Sequence, residues 1–252
     1  MTRPQATASL RRWNIAVGNF FFKYRNTFFP LIFGLVIPFL RPRIIFGSPT
    51  LDRLLVLGGT AVALTGELVR LATIGFEYIE RGGKNRQVYA SRLVQGGVYG
   101  LTRNPMYVGN GLIAIGLTMA AGSPAIYAAV LPFFLFLYQA IIAAEEAYLR
   151  RRFGEEYDRY CARVKRFLPS FREASRAFAG MTYDWKSAAR KELSTLAGLF
   201  IGLALLPLWR LYWLKGWAAA KVAAPAALAV VAGILLGYGL LVYLKQRRRV
   251  FY

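Results

Sequence analysis

Apolar runs long enough to cross a membrane, separated by loops rich in arginine, constrain this sequence more than anything else in it. A helix needs about 20 residues to cross roughly 30 Å of hydrocarbon. Runs of this kind occupy Phe28 to Ile45, Leu54 to Phe76, Met106 to Ala121, Pro124 to Ala144, Leu193 to Trp213 and Ala219 to Leu244. The expected fold is therefore all-α, a polytopic membrane protein with about six transmembrane helices, because helices satisfy their own backbone in lipid. Asn104-Pro105 opens the third run as N-cap and first helical residue. That run is short, about 25 Å as helix, and begins in the headgroup region. Gly122-Ser123-Pro124 then makes a tight turn, so the third and fourth helices are expected to form an antiparallel hairpin. Gly198/Gly202 and Gly233/Gly237 have the four-residue spacing of close helix packing, within one chain or between two, so both a monomer and a homodimer stay open.

Charge gives the orientation. The chain is 56% hydrophobic yet carries a formal net charge of +21, which a membrane protein reconciles by placing its charge in loops. Of the 33 lysines and arginines, Arg70 lies within a span. Arg41, Arg43, Arg53, Arg210, Lys215 and Lys221 fall on one side, and all the others fall on the opposite side. Positive loops stay cytoplasmic. The protein is thus expected in the bacterial inner membrane with both termini in the cytoplasm. Its anionic partner is the lipid headgroup layer rather than nucleic acid, because the charges flank apolar spans instead of covering a soluble face.

Four segments follow from these patterns. Residues 1–25 carry Trp13, Val17, Phe20, Phe21 and Tyr24 at helical spacing among basic residues, the pattern of an interfacial amphipathic helix. Residues 26–80 hold the first two spans, the first bent at Pro38. Residues 81–171 contain the hairpin and two polar stretches, and residues 172–252 add two further spans.

The chain has no histidine and one cysteine, Cys161. Histidine-dependent hydrolysis, His-ligated zinc or haem and an internal disulfide are excluded, and no metal site is expected. Chemistry must run on carboxylates, arginine, tyrosine or a cofactor. The hairpin returns its two ends to one membrane face, so Arg81–Arg103 should meet Glu145–Pro169. The meeting point holds Tyr99, Arg103, Asn104 and Pro105 on one side and Glu145, Glu146, Tyr157 and Arg163 on the other. A helix N-terminus beside an arginine favours a carboxylate or phosphate. Paired carboxylates at the interface call for a cation or hydroxyls. An amino-acid-bearing sulfonium nucleoside offers all of these groups. Glu67 and Arg70 share one face of the second span and are candidates for substrate contact, as is Tyr157; a mutual salt bridge is the structural alternative for the first two.

Gly97-Val98-Tyr99, Arg103-Asn104-Pro105-Met106-Tyr107-Val108-Gly109, Glu145-Glu146, Phe153-Gly154 with Tyr157 and Tyr160, and Arg163-Val164 through Pro169 occur in that order. This series resembles the isoprenylcysteine carboxyl methyltransferases and phospholipid methyltransferases, integral membrane enzymes that use S-adenosylmethionine. The resemblance ends near Phe171. It implies that Tyr99, Arg103, Asn104, Pro105, Tyr107, Gly109, Glu145 and Glu146 line a cytoplasmic cofactor site. It also implies that Glu146 and Arg163 serve the reaction, and that the substrate is a lipid or other lipophilic small molecule, methylated on a prenyl-like carboxylate, thiol or amine. Asn104 departs from the pattern, since many relatives have histidine there, and asparagine cannot shuttle a proton. Two other classes share the topology: an NADPH-dependent membrane reductase of the sterol type, which would prefer a dinucleotide, and a non-enzymatic membrane scaffold, which would tolerate loss of Arg103 or Glu146.

Overall fold

A computed structural model describes residues 3–77 and 88–250, though not every side chain at the two ends. The first part of the polar stretch, residues 81–87, lies outside the described residues. All regular structure among the described residues is helical. The long helices are α1 (Arg3–Leu31), α2 (Pro49–Phe76), α3 (Pro105–Ala121), α4 (Leu131–Phe153) and the short α5 (Glu155–Arg163). A single turn, α6 (Ala174–Ala177), precedes α7 (Trp185–Lys215) and α8 (Trp217–Val250).

Among the described residues, four helical segments are long and apolar enough to cross a membrane: Pro49–Phe76, Ile126–Phe153, Trp185–Lys215 and Trp217–Arg247. The helix Pro105–Ala121 is apolar but shorter, about 26 Å long. The first expected span does not form a helix of its own. Helix α1 runs unbroken through residues 25–28, loosens into a π-helical turn at Ile32–Val36 and ends in a 3-10 turn at Ile37–Phe39. Pro38 cannot donate a backbone hydrogen bond, so the helix stops there. Its carbonyl accepts the indole N–H groups of Trp209 and Trp213 from α7 at 3.0 and 3.1 Å.

Local sequence explains the other boundaries. Ser48 caps α2 by accepting from the Leu51 N–H, with Pro49 at the first helical position. Gly122 ends α3 in the left-handed region at φ 62°, a conformation that costs glycine nothing. Asp184 caps α7 by accepting from the Ser187 N–H at 2.8 Å, and its own N–H donates to the Gly75 carbonyl, which anchors α7 to the end of α2.

Packing pairs α2 with α3, α1 with α4, and α7 with α8, while α7 also lies against α2. A Cβ on Gly66 would sit 2.6 Å from the Gly109 carbonyl oxygen, and one on Gly109 would sit 2.7 Å from the Gly66 oxygen. Gly59 and Gly116 repeat this reciprocal contact two turns away. Small residues bring the backbones of α2 and α3 together, the way helices associate where lipid removes the hydrophobic drive. The Gly198/Gly202 and Gly233/Gly237 pairs take no part in such a crossing, since the space around each is open.

Helices α3 and α4 are joined by the short turn after Ala121 and meet again where Tyr107 touches Glu145 and Tyr138. Between those points α3 packs chiefly on α2, and α4 on α1. One end of the bundle therefore gathers the C-termini of α2, α4 and α8 with the N-termini of α3 and α7. At the other end Arg210 of α7 is not a loop charge but is buried. It donates to both Asp52 carboxylate oxygens and to the carbonyls of Ala120 and Ala121, so that α7 holds α2 and the α3–α4 turn.

Candidate active site

The start of α3 and the end of α4 form a polar cluster. The Tyr107 hydroxyl donates to Glu145 Oε1 at 2.7 Å. The Asn104 side-chain amide donates to Glu146 Oε1 and to the Arg166 carbonyl, each at 3.2 Å. Arg166 completes the ring: its Nε donates to the same Glu146 oxygen at 2.9 Å and its Nη1 to Gln139 Oε1 at 2.9 Å. Positions 104 and 107 lie one turn apart at the opening of α3, and Glu145 and Glu146 are successive on α4.

The segment after α5 lines this cluster because its backbone is pinned to the start of α3. The Arg103 N–H donates to the Lys165 carbonyl, the Ser170 N–H to Leu101, and the Thr102 hydroxyl to Arg166. Helix α5 is held from beneath by Tyr157 and Tyr160, buried with Val164. The Tyr160 hydroxyl donates to the Tyr99 carbonyl at 2.8 Å. Burial pushes both phenols above the usual tyrosine range, so both stay protonated and act as fixed supports.

Asn104 occupies the N-cap position of α3 but does not cap it with its side chain. That side chain is committed to Glu146 and Arg166, while the Asn104 carbonyl takes the N–H groups of both Tyr107 and Val108. Pro105 has no N–H to offer. The helix end thus has fewer free donors for an anion than the sequence led us to expect. Arg103 supplies the stronger one. Its Nε is buried with no hydrogen-bond partner among the described residues, and its charge acts on both Tyr157 and Tyr160. A buried guanidinium N–H left open is costly, and a carboxylate is the group that satisfies it best.

The expected site residues thus divide. Asn104, Tyr107, Glu145 and Glu146 form the cluster, Arg103 and Pro105 adjoin it, and Tyr99 supports it through its carbonyl. Gly109 faces away, taken up by the crossing with Gly66 and by the Arg70 side chain. Tyr157 is packed in the α5 core, which leaves it no open face for a substrate. Arg163 is exposed and donates to Gln95 Oε1 at 2.9 Å, outside the cluster. Arg166, three residues on, holds the place expected of Arg163; its position inside the segment bounded by Val164 and Pro169 was the available signal.

Glu67 and Arg70 belong to a separate network within the helices. Arg70 lies 3.5 Å from Glu67, but its main partner is Glu192 of α7, reached at 2.6 Å from Nη2 and 3.2 Å from Nε. Nη1 donates to Asn110 and Nη2 also to Thr195. The expected Glu67–Arg70 pair exists, as the weaker half of a larger constellation that brings the C-terminal helices into contact with the core.

Apolar helices long enough to cross a membrane thus carry this polar cluster at one end of their bundle. The phospholipid methyltransferase family matches residues 54–156, which span α2 to the start of α5. The chain is 30% identical over 174 residues to the cobalt-zinc-cadmium resistance protein CzcN of Cupriavidus metallidurans, covering 66% of this chain and 72% of that one. It is 40% identical over 63 residues to an uncharacterized protein of Haemophilus influenzae, 25% of this chain and 100% of the other. No solved structure matches. The chain belongs to the phospholipid methyltransferase family, whose members are membrane methyltransferases.

Proposed function

We propose that this protein transfers a methyl group from S-adenosylmethionine to a lipophilic acceptor that arrives from the bilayer. Family membership supports methyl transfer. The observation that carries the cofactor is the unsatisfied Nε of Arg103, the residue before Asn104, whose amide donates to Glu146. Arg103 would take the cofactor carboxylate, and the two glutamates its ammonium and ribose hydroxyls, with Tyr107 fixing Glu145 and with Asn104 and Arg166 fixing Glu146. Bound S-adenosylmethionine supplies a methyl group already activated on a positive sulfur.

The chain then has two tasks: to hold the acceptor in line and to exclude water. The segment from Val164 to Ser170, pinned across the start of α3, serves the second. Asn104 donates and accepts hydrogen bonds without moving a proton. A carboxylate acceptor needs no base at neutral pH, whereas an amine or hydroxyl acceptor would pass its proton to Glu145 or Glu146. The end of the bundle bearing the cluster is taken as cytoplasmic, in an inner membrane with α1 counted as the first of six passes and both termini inside; the basic residues concentrated at that end support this.

Calorimetric titration of the detergent-purified protein with S-adenosylmethionine, S-adenosylhomocysteine and NADPH tests the reading. Micromolar binding of both sulfur nucleosides, lost in an Arg103→Ala/Glu146→Ala variant, is expected. Binding of NADPH alone, or of neither nucleoside, would overturn it.

A further inference from the structure

Helices α7 and α8 part at the same end of the bundle to leave a cavity of about 440 Å³ away from the polar cluster. Arg190 and Lys191 from α7 and Lys245 from α8 bring positive charge to it, and Ser194 and Gln246 bring hydrogen-bonding groups. Leu193 and Val242 form its apolar wall. On α8 the lining positions 238, 242, 245 and 246 are spaced as one helical face, and on α7 positions 190, 191 and 194 form another.

The depth of this cavity is set by sequence. Lys245 is the first charged residue after Lys221 in α8, and Arg210 is the first after Glu192 in α7. Both helices thus change from charged to apolar at the level of the cavity, where a bilayer changes from phosphate to acyl chain. The charge of the lining is positive, Leu193 and Val242 give it an apolar part, and it lies between two helices long and apolar enough to cross the hydrocarbon. A soluble anion would use the first of these features alone. A phospholipid uses all three.

We infer that this cleft binds one anionic phospholipid, with its phosphate on Arg190 and Lys245, its ester oxygens near Ser194 and Gln246, and its first methylenes on Leu193 and Val242. The site lies wholly on α7 and α8, beyond the segment that the methyltransferase family covers, and is independent of which acceptor is methylated. Its position gives it a consequence for the fold. Arg190 and Lys191 directly precede Glu192, which holds Arg70, so a lipid seated there fixes the register of α7 against α2.

Native mass spectrometry of the full chain released from detergent tests this, with phosphatidylglycerol, phosphatidylcholine, glycerol 3-phosphate or inorganic phosphate added. One retained phosphatidylglycerol is expected, with apparent affinity lowered at least about tenfold by Arg190→Gln/Lys245→Gln, given the attraction each basic residue exerts on an anionic lipid. The single variant Lys245→Gln, at an exposed position, should give part of that loss and guards against misfolding of the double variant. Arg151→Gln/Arg152→Gln, at exposed positions elsewhere on the same end, should leave retention unchanged. Equal retention of phosphatidylcholine, equal loss in the Arg151/Arg152 variant, retention undiminished in the Arg190/Lys245 variants, competition by glycerol 3-phosphate or phosphate at the same concentration, or no retained lipid would each overturn the proposal.

Discussion

Arg70 is buried and Arg103 half-buried at the α2–α3 end of the molecule, and they differ in what their donors find. Arg70 spends Nε, Nη1 and Nη2 on Glu192, Asn110 and Thr195. Arg103 leaves its buried Nε open. In low dielectric a satisfied charge fixes packing, while an unsatisfied one stores a demand that a ligand can meet. The first kind of arginine should therefore govern stability, and the second binding.

The sharpest way to break that distinction is Glu192→Ala. It strands the Arg70 charge inside the helices, and loss of one member of a buried pair costs about 3 kcal/mol or more. Thermal unfolding of the purified variant should show a large fall in midpoint, or the protein should fail to accumulate. An unchanged midpoint would mean that Arg70 is not held by α7. Gly109→Ala comes next. Its new Cβ would lie 2.5 Å from Arg70 Cγ and 2.7 Å from the Gly66 oxygen, and such overpacking costs about 2 kcal/mol. The melting temperature should drop. Weakened cofactor binding at unchanged stability would instead restore Gly109 to the site.

Arg103→Ala should do the reverse. S-adenosylmethionine affinity falls tenfold or more, about 1.5 kcal/mol for a charge-assisted contact, while the unfolding midpoint stays close to that of the parent protein. A melting temperature that falls as far as for Glu192→Ala would erase the contrast between the two arginines.

The same contrast explains what could be read from the sequence. The four long apolar helices were visible as apolar runs, and turns as Gly and Pro clusters, because both are local signals. The meeting of Asn104 and Tyr107 with Glu145 and Glu146 was readable because the chain turns back after Gly122, which brings the start of α3 and the end of α4 to one end of the bundle although the two helices pack chiefly on others. The partner of Arg70 was not, since Glu192 lies 122 positions away on helices that the family pattern does not cover. Arg210 was read as a loop charge for a similar reason: Asp52, which draws it inward, is 158 positions distant. The glycines at 59, 66, 109 and 116 carry a packing signal that only the α2–α3 pairing turns into a crossing. The single helix through residues 25–28 hides the expected boundary because Arg3–Leu31 continues as one α-helix even across Pro30.

Asn104 gives the smallest effect and the finest distinction. Its amide bridges Glu146 and the Arg166 carbonyl, so Asn104→Ala removes an orienting contact worth about 1 kcal/mol and should lower kcat/KM by less than about tenfold. Asn104→His puts a titratable group where many members of the family carry one. If Asn104 only orients Glu146, the pH dependence of kcat keeps its shape in the alanine variant, because neither the native amide nor alanine exchanges a proton. If the histidine variant gains a new limb near neutral pH together with a higher rate, the native protein works without a base that its relatives use. In that case its acceptor is either a group already deprotonated when it reaches the methyl or one that passes its proton to Glu145 or Glu146.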